Sequence, residues 1–208
     1  MRKPDSNVSP KFLPHRMSRT ISGSSPGEVR IIGGRWKRTK LPVADMPGLR
    51  PTPARVRETL FNWLGQDLTG WRCLDAFAGS GALGFEAASR GAANVIMVEK
   101  NRRLATHLRQ VQERLHAQEV QVVCDDAMRV LKRCDLGSMD MVFLDPPFAA
   151  DLFDAVLQAA LPVVAPAGVI YLEADRAVEA PPGLSCYRQA RAAAVYYYLF
   201  VTDGFEIE

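Results

Sequence analysis

Cys73-Leu74-Asp75-Ala76-Phe77-Ala78-Gly79-Ser80-Gly81-Ala82-Leu83-Gly84 is the stretch whose reading decides the fold. An apolar run ends on an acid. Glycines 79, 81 and 84 then stand in G-x-G-x-x-G spacing and open into a helical pattern, which allows a tight turn and close ligand approach at a helix N-terminus. The stretch therefore reads as the first strand-to-helix turn of an α/β domain. The same rhythm continues downstream. Strands are expected near 72–76, 94–99, 120–124, 139–144 and 167–173, and helices near 82–90, 101–117, 126–133 and 151–161. That alternation argues for a parallel sheet covered on both faces. Residues 184–190 and 194–202 read as two strands with a short connection, which permits only an antiparallel pair at the sheet edge.

Upstream, Val29-Arg30-Ile31-Ile32 and Arg35-Trp36-Lys37-Arg38-Thr39-Lys40-Leu41 flank Gly33-Gly34, a hairpin signal. Alternation puts basic side chains on both faces of the second run, so this ribbon cannot be buried on both sides. A helix is expected to start at Thr52-Pro53, with Thr52 as N-cap and Pro53 at the first position, and with Val56, Leu60, Trp63 and Leu64 as its apolar face. Residues 1–26 are rich in Ser, Pro and Arg, without periodicity, and are expected to be a disordered basic tail.

The 208 residues, 48% hydrophobic, suit one α/β domain with an appendage. Net charge is only +3, but it is unevenly spread. Residues 1–57 hold 13 Lys/Arg against 3 Asp/Glu, and the remainder holds 13 against 20. A basic N-terminal part on an acidic body points to a polyanion partner. Cys73, Cys124, Cys134 and Cys186 show no paired metal spacing. Cys73 and Cys124 read as small core residues, so a reducing cytoplasmic setting is expected and no metal. No apolar h-region opens the chain, and Pro162, Pro166 and Gly168 break its longest apolar stretch, so neither secretion nor a membrane span is expected.

Four acids fall at strand ends. Asp75, four residues before the first glycine, would crowd a pyrophosphate but suits the ammonium of an amino-acid moiety. Glu99, 18 residues past Gly81, can accept both hydroxyls of a ribose. Asp126, with Ala127 beside it, can face an adenine amine, although Asp125 competes for that role. Amino acid, ribose and adenine in that order describe S-adenosylmethionine. The fourth acid opens Asp145-Pro146-Pro147-Phe148 after the apolar run 139–144. The two prolines forbid an immediate helix and leave a stiff turn whose carbonyls can accept hydrogen bonds beside an aromatic ring.

These residues carry a family resemblance. The segment 75–81 resembles motif I of class I methyltransferases, and Asp145-Pro146-Pro147-Phe148 resembles the turn of enzymes that methylate exocyclic amino nitrogens. Arg30-Ile31-Ile32-Gly33-Gly34-Arg35-Trp36, Arg50-Pro51-Thr52 and Arg57-Glu58-Thr59-Leu60-Phe61-Asn62 resemble the bacterial RsmD family, the small-subunit rRNA guanine-N2 methyltransferases, over about residues 28–208. The resemblance implies a Rossmann-like class I methyltransferase sheet, mostly parallel with an antiparallel C-terminal hairpin. It places an RNA-binding β-hairpin extension at 27–50 and the S-adenosylmethionine-dependent domain at 51–208. It also implies methylation of one guanine, by convention position 966 of 16S rRNA, within the small ribosomal subunit.

The expected catalytic residues are Asp145, Pro146, Pro147 and Phe148: the acid and the Pro146 carbonyl hold the two amine hydrogens, and the ring stacks on the base. The residues alone leave open whether Asp145 also takes a proton. The cofactor set is Asp75, Ala76, Phe77, Gly79, Ser80, Gly81, Glu99, Asp126 and Ala127. Arg30, Arg35, Trp36, Lys37, Arg38, Lys40, Arg50, Arg55 and Arg57 are expected to meet RNA, with Trp36 either a stacking platform or the ribbon's anchor. His107 and His116 read as surface residues. A monomer suffices. The competing readings are methylation of DNA adenine N6 or protein glutamine, a non-catalytic RNA-binding assembly factor, and a nucleotide-dependent oxidoreductase.

Overall fold

The computed structural model describes residues 28–44, 46 and 51–205. The tail 1–26 and Arg50 lie outside the described residues. Seven strands form the main sheet: β3 (Arg72–Asp75), β4 (Asn94–Val98), β5 (Val120–Val123), β6 (Met139–Leu144), β7 (Val164–Ala174), β8 (Ser185–Ala192) and β9 (Val195–Val201). Their order is β5-β4-β3-β6-β7-β9-β8. The first five are parallel, and β9 and β8 pair antiparallel at the edge. The chain moves outward from β3 through β4 to β5, then returns to place β6 on the other side of β3. Between β3 and β6 the order reverses, and the carboxyl ends of the strands at such a reversal are where open α/β sheets bind ligands.

Strand alternation sorts the core into two layers. Cys73, Met141, Phe143, Val169, Tyr171 and Leu199 face one side, where α1 (Ala54–Trp63), α2 (Ala82–Ser89), α3 (Arg102–Leu115) and the N-terminal ribbon contribute to the packing. Leu74, Val142, Leu144, Ile170, Leu172 and Phe200 face the other, with α4 (Ala127–Arg133) and α5 (Phe153–Ala160). Aromatic rings fill the first layer: Phe143 meets Phe61 at 6.3 Å and Tyr171 edge-on at 6.4 Å, and Trp63 stacks on Tyr197 at 5.5 Å. Each such pair adds about 0.5–1.5 kcal/mol beyond the area buried.

The ribbon departs from the expected hairpin. Its strands are short, β1 (Glu28–Arg30) and β2 (Lys40–Pro42), and residues 35–38 form turns instead of a second strand. The cause lies in α2. Glu86 accepts the Ile32 and Gly33 N–H groups at 2.8 and 2.7 Å, and the Ser89 carbonyl accepts Arg35 N–H at 2.7 Å. Those donors point into the body, so they cannot pair across a two-residue turn. Gly34 is required by this docking: it adopts φ +70°, and a Cβ there would lie 1.8 Å from the Ser89 oxygen. Val29, Ile31, Leu41 and Val43 are buried against the domain, which leaves one free face.

Glu86 does more than capture the ribbon. It is fully buried, pairs with Arg57 Nη1 at 3.2 Å, and takes Arg90 Nε and Nη2 at 3.0 and 2.9 Å. Arg57 also donates to the carbonyls of Arg30 and Thr52. Thr52 therefore does not cap α1 as expected. Pro53 stands at the cap position without a side-chain bond, and Thr52 is buried with its carbonyl committed to Arg57.

Glu86→Ala leaves two buried guanidinium groups and two backbone donors uncompensated. It is expected to cost about 3–5 kcal/mol, read as a lower urea midpoint. A loss below about 1 kcal/mol would show that water replaces the carboxylate.

Candidate active site

Asp75 ends β3 and is almost fully buried. Its Oδ2 accepts the Gly84 N–H at 3.0 Å across the glycine turn. Burial pushes its pKa up to about 7, against the opposing pull of the Gly84 and Phe77 N–H groups. Gly84 is where this contact needs room, since a Cβ would stand 2.8 Å from Met97 and 3.1 Å from the Asp75 carboxylate. Gly81 heads α2 in the left-handed region, φ +79°, and a Cβ there would press on Leu108 and Phe85 at 2.7 Å. Ser80 is buried beside it, as are Ala76 and Ala78, and Phe77 packs at the edge of the second core layer.

Glu99 follows β4 and is half-buried. It accepts the Gly79 N–H at 3.0 Å and the Asn101 N–H at 2.6 Å, which ties the glycine turn to the neighbouring strand. A carboxylate has about four acceptor directions, so capacity for two hydroxyls remains. Beyond β5 the two competing acids separate. Asp125 turns to Arg129 and Arg133 on α4, and its pKa is held low by the Asp126 N–H and then by Arg133. Asp126 caps α4 through Oδ1, which accepts Met128 and Arg129 N–H at 3.1 and 3.4 Å, with buried Ala127 next to it.

Asp145 leaves β6 on the same strand face as Phe143, and Asp75 leaves β3 on the face of Cys73. Both acids thus emerge from one layer on either side of the order reversal. Burial first, then the carboxyls of Glu173 and Asp75, raise the Asp145 pKa well above the ordinary carboxylate range. The Pro147 carbonyl closes a short 3-10 turn by accepting Ala150 N–H at 3.0 Å. The Pro146 carbonyl accepts no hydrogen bond among the described residues. Phe148 is half-buried, tilted on Phe153 at 5.9 Å.

Three residues here are not evident in the sequence. Glu173 at the end of β7 is buried and receives the Tyr171 hydroxyl at 3.0 Å. The buried Thr52 stands close to it. An acid ending a strand beside Asp145 is the signal that could have found them.

The basic residues divide. Arg57 is a correction: it is buried and spent on Glu86 and two carbonyls, so it cannot meet RNA. Arg30 and Lys40 pair with Glu28 at 3.6 and 2.9 Å, and Arg35 pairs with Glu119 and lies over the Trp36 ring at 4.1 Å. Trp36 is half-buried against the core, and its N–H meets Ser89 Oγ at 2.9 Å, the geometry of an anchor. Lys37, Arg38 and Arg55 are exposed and form no ion pair among the described residues. The turn 34–38 sits at the C-terminal end of α2 and beside Glu119, ahead of β5. It is therefore at the amino edge of the sheet, with the length of α2, about 12 Å, between it and Gly81. The structure does not bring it to Asp145. Two further expectations are corrected. His107 is half-buried with Nε2 2.6 Å from the Pro42 carbonyl, and Cys124 is exposed because it follows the end of β5. No cluster of metal-ligating residues occurs among the described residues.

Comparison with solved structures sets the class first. A putative methyltransferase from Escherichia coli superposes with a TM-score of 0.76 at 40% identity, over 85% of this chain and 98% of that one. A putative methylase from Haemophilus influenzae gives 0.73 at 34%, over 86% and 100%. The fold is that of the Rossmann-like methyltransferases, enzymes that use S-adenosylmethionine. Among curated relatives, ribosomal RNA small subunit methyltransferase D of E. coli is 41% identical over 188 residues, 87% of this chain and 93% of the relative. The protein of the same name from H. influenzae is 36% identical over 88% and 99%. The family model described as Conserved hypothetical protein 95 matches residues 29–200, and the chain belongs to this family, the RsmD methyltransferases.

Asp75, with a pKa of about 7, ionises near neutrality. A cationic ligand binds the ionised form, so affinity for S-adenosylmethionine should rise with pH through about 7 and Asp75→Asn should weaken and flatten it, by calorimetry. The neutral acid favours the fold: that contribution is complete below the ordinary carboxylate pKa and is lost as pH rises through about 7.

Proposed function

We propose that this chain transfers a methyl group from S-adenosylmethionine to the exocyclic N2 of one guanine of 16S rRNA, on the small ribosomal subunit in the cytoplasm. The observation that carries the reading is the Asp145-Pro146-Pro147 turn at the order reversal, facing the same layer as Asp75, with the Pro146 carbonyl free to accept. The substrate class is supported by the names of the relatives. No helix among the described residues is long and apolar enough to cross a membrane.

When bound, S-adenosylmethionine supplies a methyl group activated by a sulfonium. Asp75 would receive its ammonium, Glu99 the ribose hydroxyls and Asp126 the adenine amine. The glycine turn fits such a ligand, because side chains at 81 or 84 would collide with their neighbours. The guanine amine is a poor nucleophile, since its lone pair is delocalised into the ring. Asp145 and the Pro146 carbonyl can hold its two hydrogens, favour pyramidal nitrogen and aim the lone pair. Positioning of this kind lowers barriers substantially. Phe148 gives the base a ring to stack on, which offsets part of the roughly few kcal/mol spent in flipping it out. Lys37, Arg38 and Arg55 would position RNA through phosphates, without reading sequence.

The test is incubation with labelled S-adenosylmethionine and small subunits from a strain lacking the enzyme, followed by mapping of the label. One guanine, modified at N2, is expected. Label in protein or DNA, or none, overturns the reading. Asp145→Ala should abolish transfer and leave cofactor affinity within a few-fold, and wild-type turnover in that variant would remove Asp145 from catalysis. Charge reversal at Lys37 and Arg38 should weaken RNA binding and flatten its dependence on salt by about 0.7–0.9 in log–log slope for each phosphate no longer neutralised. An unchanged slope would take the ribbon tip out of the interface.

A further inference from the structure

Glu173 is one of the few acids that the fold buries. It lies one residue beyond the pair Leu144↔Leu172, so β6 and β7 deliver Asp145 and Glu173 side by side. Alternation puts Asp145 on the face of Phe143 and Glu173 on the face of Tyr171, and those two rings touch edge-on at 6.4 Å. Glu173 is 5% exposed and pairs with no Lys or Arg among the described residues. Its side-chain partner is a hydroxyl: Tyr171, fully buried, donates at 3.0 Å, and Thr52, also buried, lies close by in the segment ahead of α1.

We propose that Glu173 is a positioning residue for amine methylation: braced by Tyr171, its carboxylate stands beside Asp145, orients it and keeps it a strong acceptor for the amine hydrogens. Two adjacent carboxyls, here a buried Glu173 beside a half-buried Asp145, do not ionise independently, and the one with more donors holds the charge better. Glu173 has a hydroxyl donor in Tyr171, whereas Asp145 makes no side-chain hydrogen bond among the described residues. The groups facing the pair are Asp75 from β3, Tyr171 from β7, Tyr197 opposite Glu173 on β9, and Thr52; none is cationic. The Tyr171 donor favours the ionised form of Glu173, and a charge there holds the Asp145 pKa up.

In the transfer an N–C bond forms, the bond from that carbon to sulfur breaks, and its electron pair stays on sulfur. The nitrogen then sheds one proton, which the ionised Asp145 takes and returns to water. A neighbouring negative charge makes Asp145 the better acceptor for that proton.

This role rests on amine methylation at Asp145, and one of its two readouts needs no substrate. Glu173→Gln keeps the size and an acceptor oxygen but removes the charge. In cofactor-free protein carrying carbon-13 at aspartate carboxyls, the Asp145 resonance, assigned through Asp145→Asn, should titrate at lower pH in Glu173→Gln than in wild type. The acid limb of kcat/KM should move the same way, and the kcat plateau should fall by about tenfold to a hundredfold. A purely structural role would lower the plateau and leave the Asp145 titration in place, which overturns the proposal. If Glu173→Gln does not fold, Tyr171→Phe removes one donor with the ring retained and should also shift Asp145 downward, because Glu173 then holds its charge less well. No shift there is equally fatal. Failure to methylate RNA with the Asp145 shift intact would count against the substrate assignment alone.

Discussion

The buried carboxylate of Glu86 is the constraint on which the rest of this molecule is arranged. One side chain on α2 satisfies two backbone donors of the ribbon, the guanidinium of Arg57 on α1 and that of Arg90 at its own helix end. Placing three charges in a core is expensive, and a set of apolar side chains of the same volume could be as stable. What apolar packing would not provide is direction. The fork of Arg57 reaches the carbonyls of Arg30 and Thr52, so the orientation of Glu86 fixes where the ribbon lies and how the chain enters α1. That entry brings Thr52 close to Glu173 and so to the Asp145 turn.

The opposite edge is organised by strand parity. Asp75, Asp145 and Glu173 leave three adjacent strands on one face because each is an even number of residues from Cys73, Phe143 and Tyr171 in the aromatic layer. Burial among rings and neighbouring acids holds all three pKa values up. A site that gathers carboxyls and offers them no cation among the described residues is poorly satisfied by itself. A positively charged cofactor and an amine supply what is missing, so the electrostatic cost of the cofactor-free site becomes selectivity for what binds there.

The sheet is legible in the sequence because its signals are local. Strand and helix limits from residue 72 onward fall within a few residues of those expected, and the glycine turn and Asp145 turn carry their chemistry in consecutive residues. Glu86, Arg57 and Glu173 are not legible for the converse reason. Glu86 sits in an apolar helix, and although Arg90 follows it by one turn, nothing within α2 announces the Arg57 guanidinium or a ribbon arriving from 29 and more positions away. Arg57 follows a basic stretch and reads as part of it. The Gly33-Gly34 signal is real, but the donors that would close a tight hairpin are taken by Glu86 and Ser89. In each case a long-range polar partner overrides a correct local propensity.

The same overrides reshape how RNA must lie on the protein. With Arg57 internal and Arg35 paired to Glu119, the unpaired positive charge of the ribbon among the described residues is Lys37 and Arg38 at the amino edge, with Arg55 near the start of α1. Asp145 is at the carboxyl edge. A substrate held by both must span at least the length of α2, about 12 Å, before its target base reaches Phe148. A lone nucleotide or a very short strand cannot satisfy both ends. If the tip meets phosphate, its distance from the turn disfavours a lone nucleotide, and the Glu86 junction keeps that distance fixed.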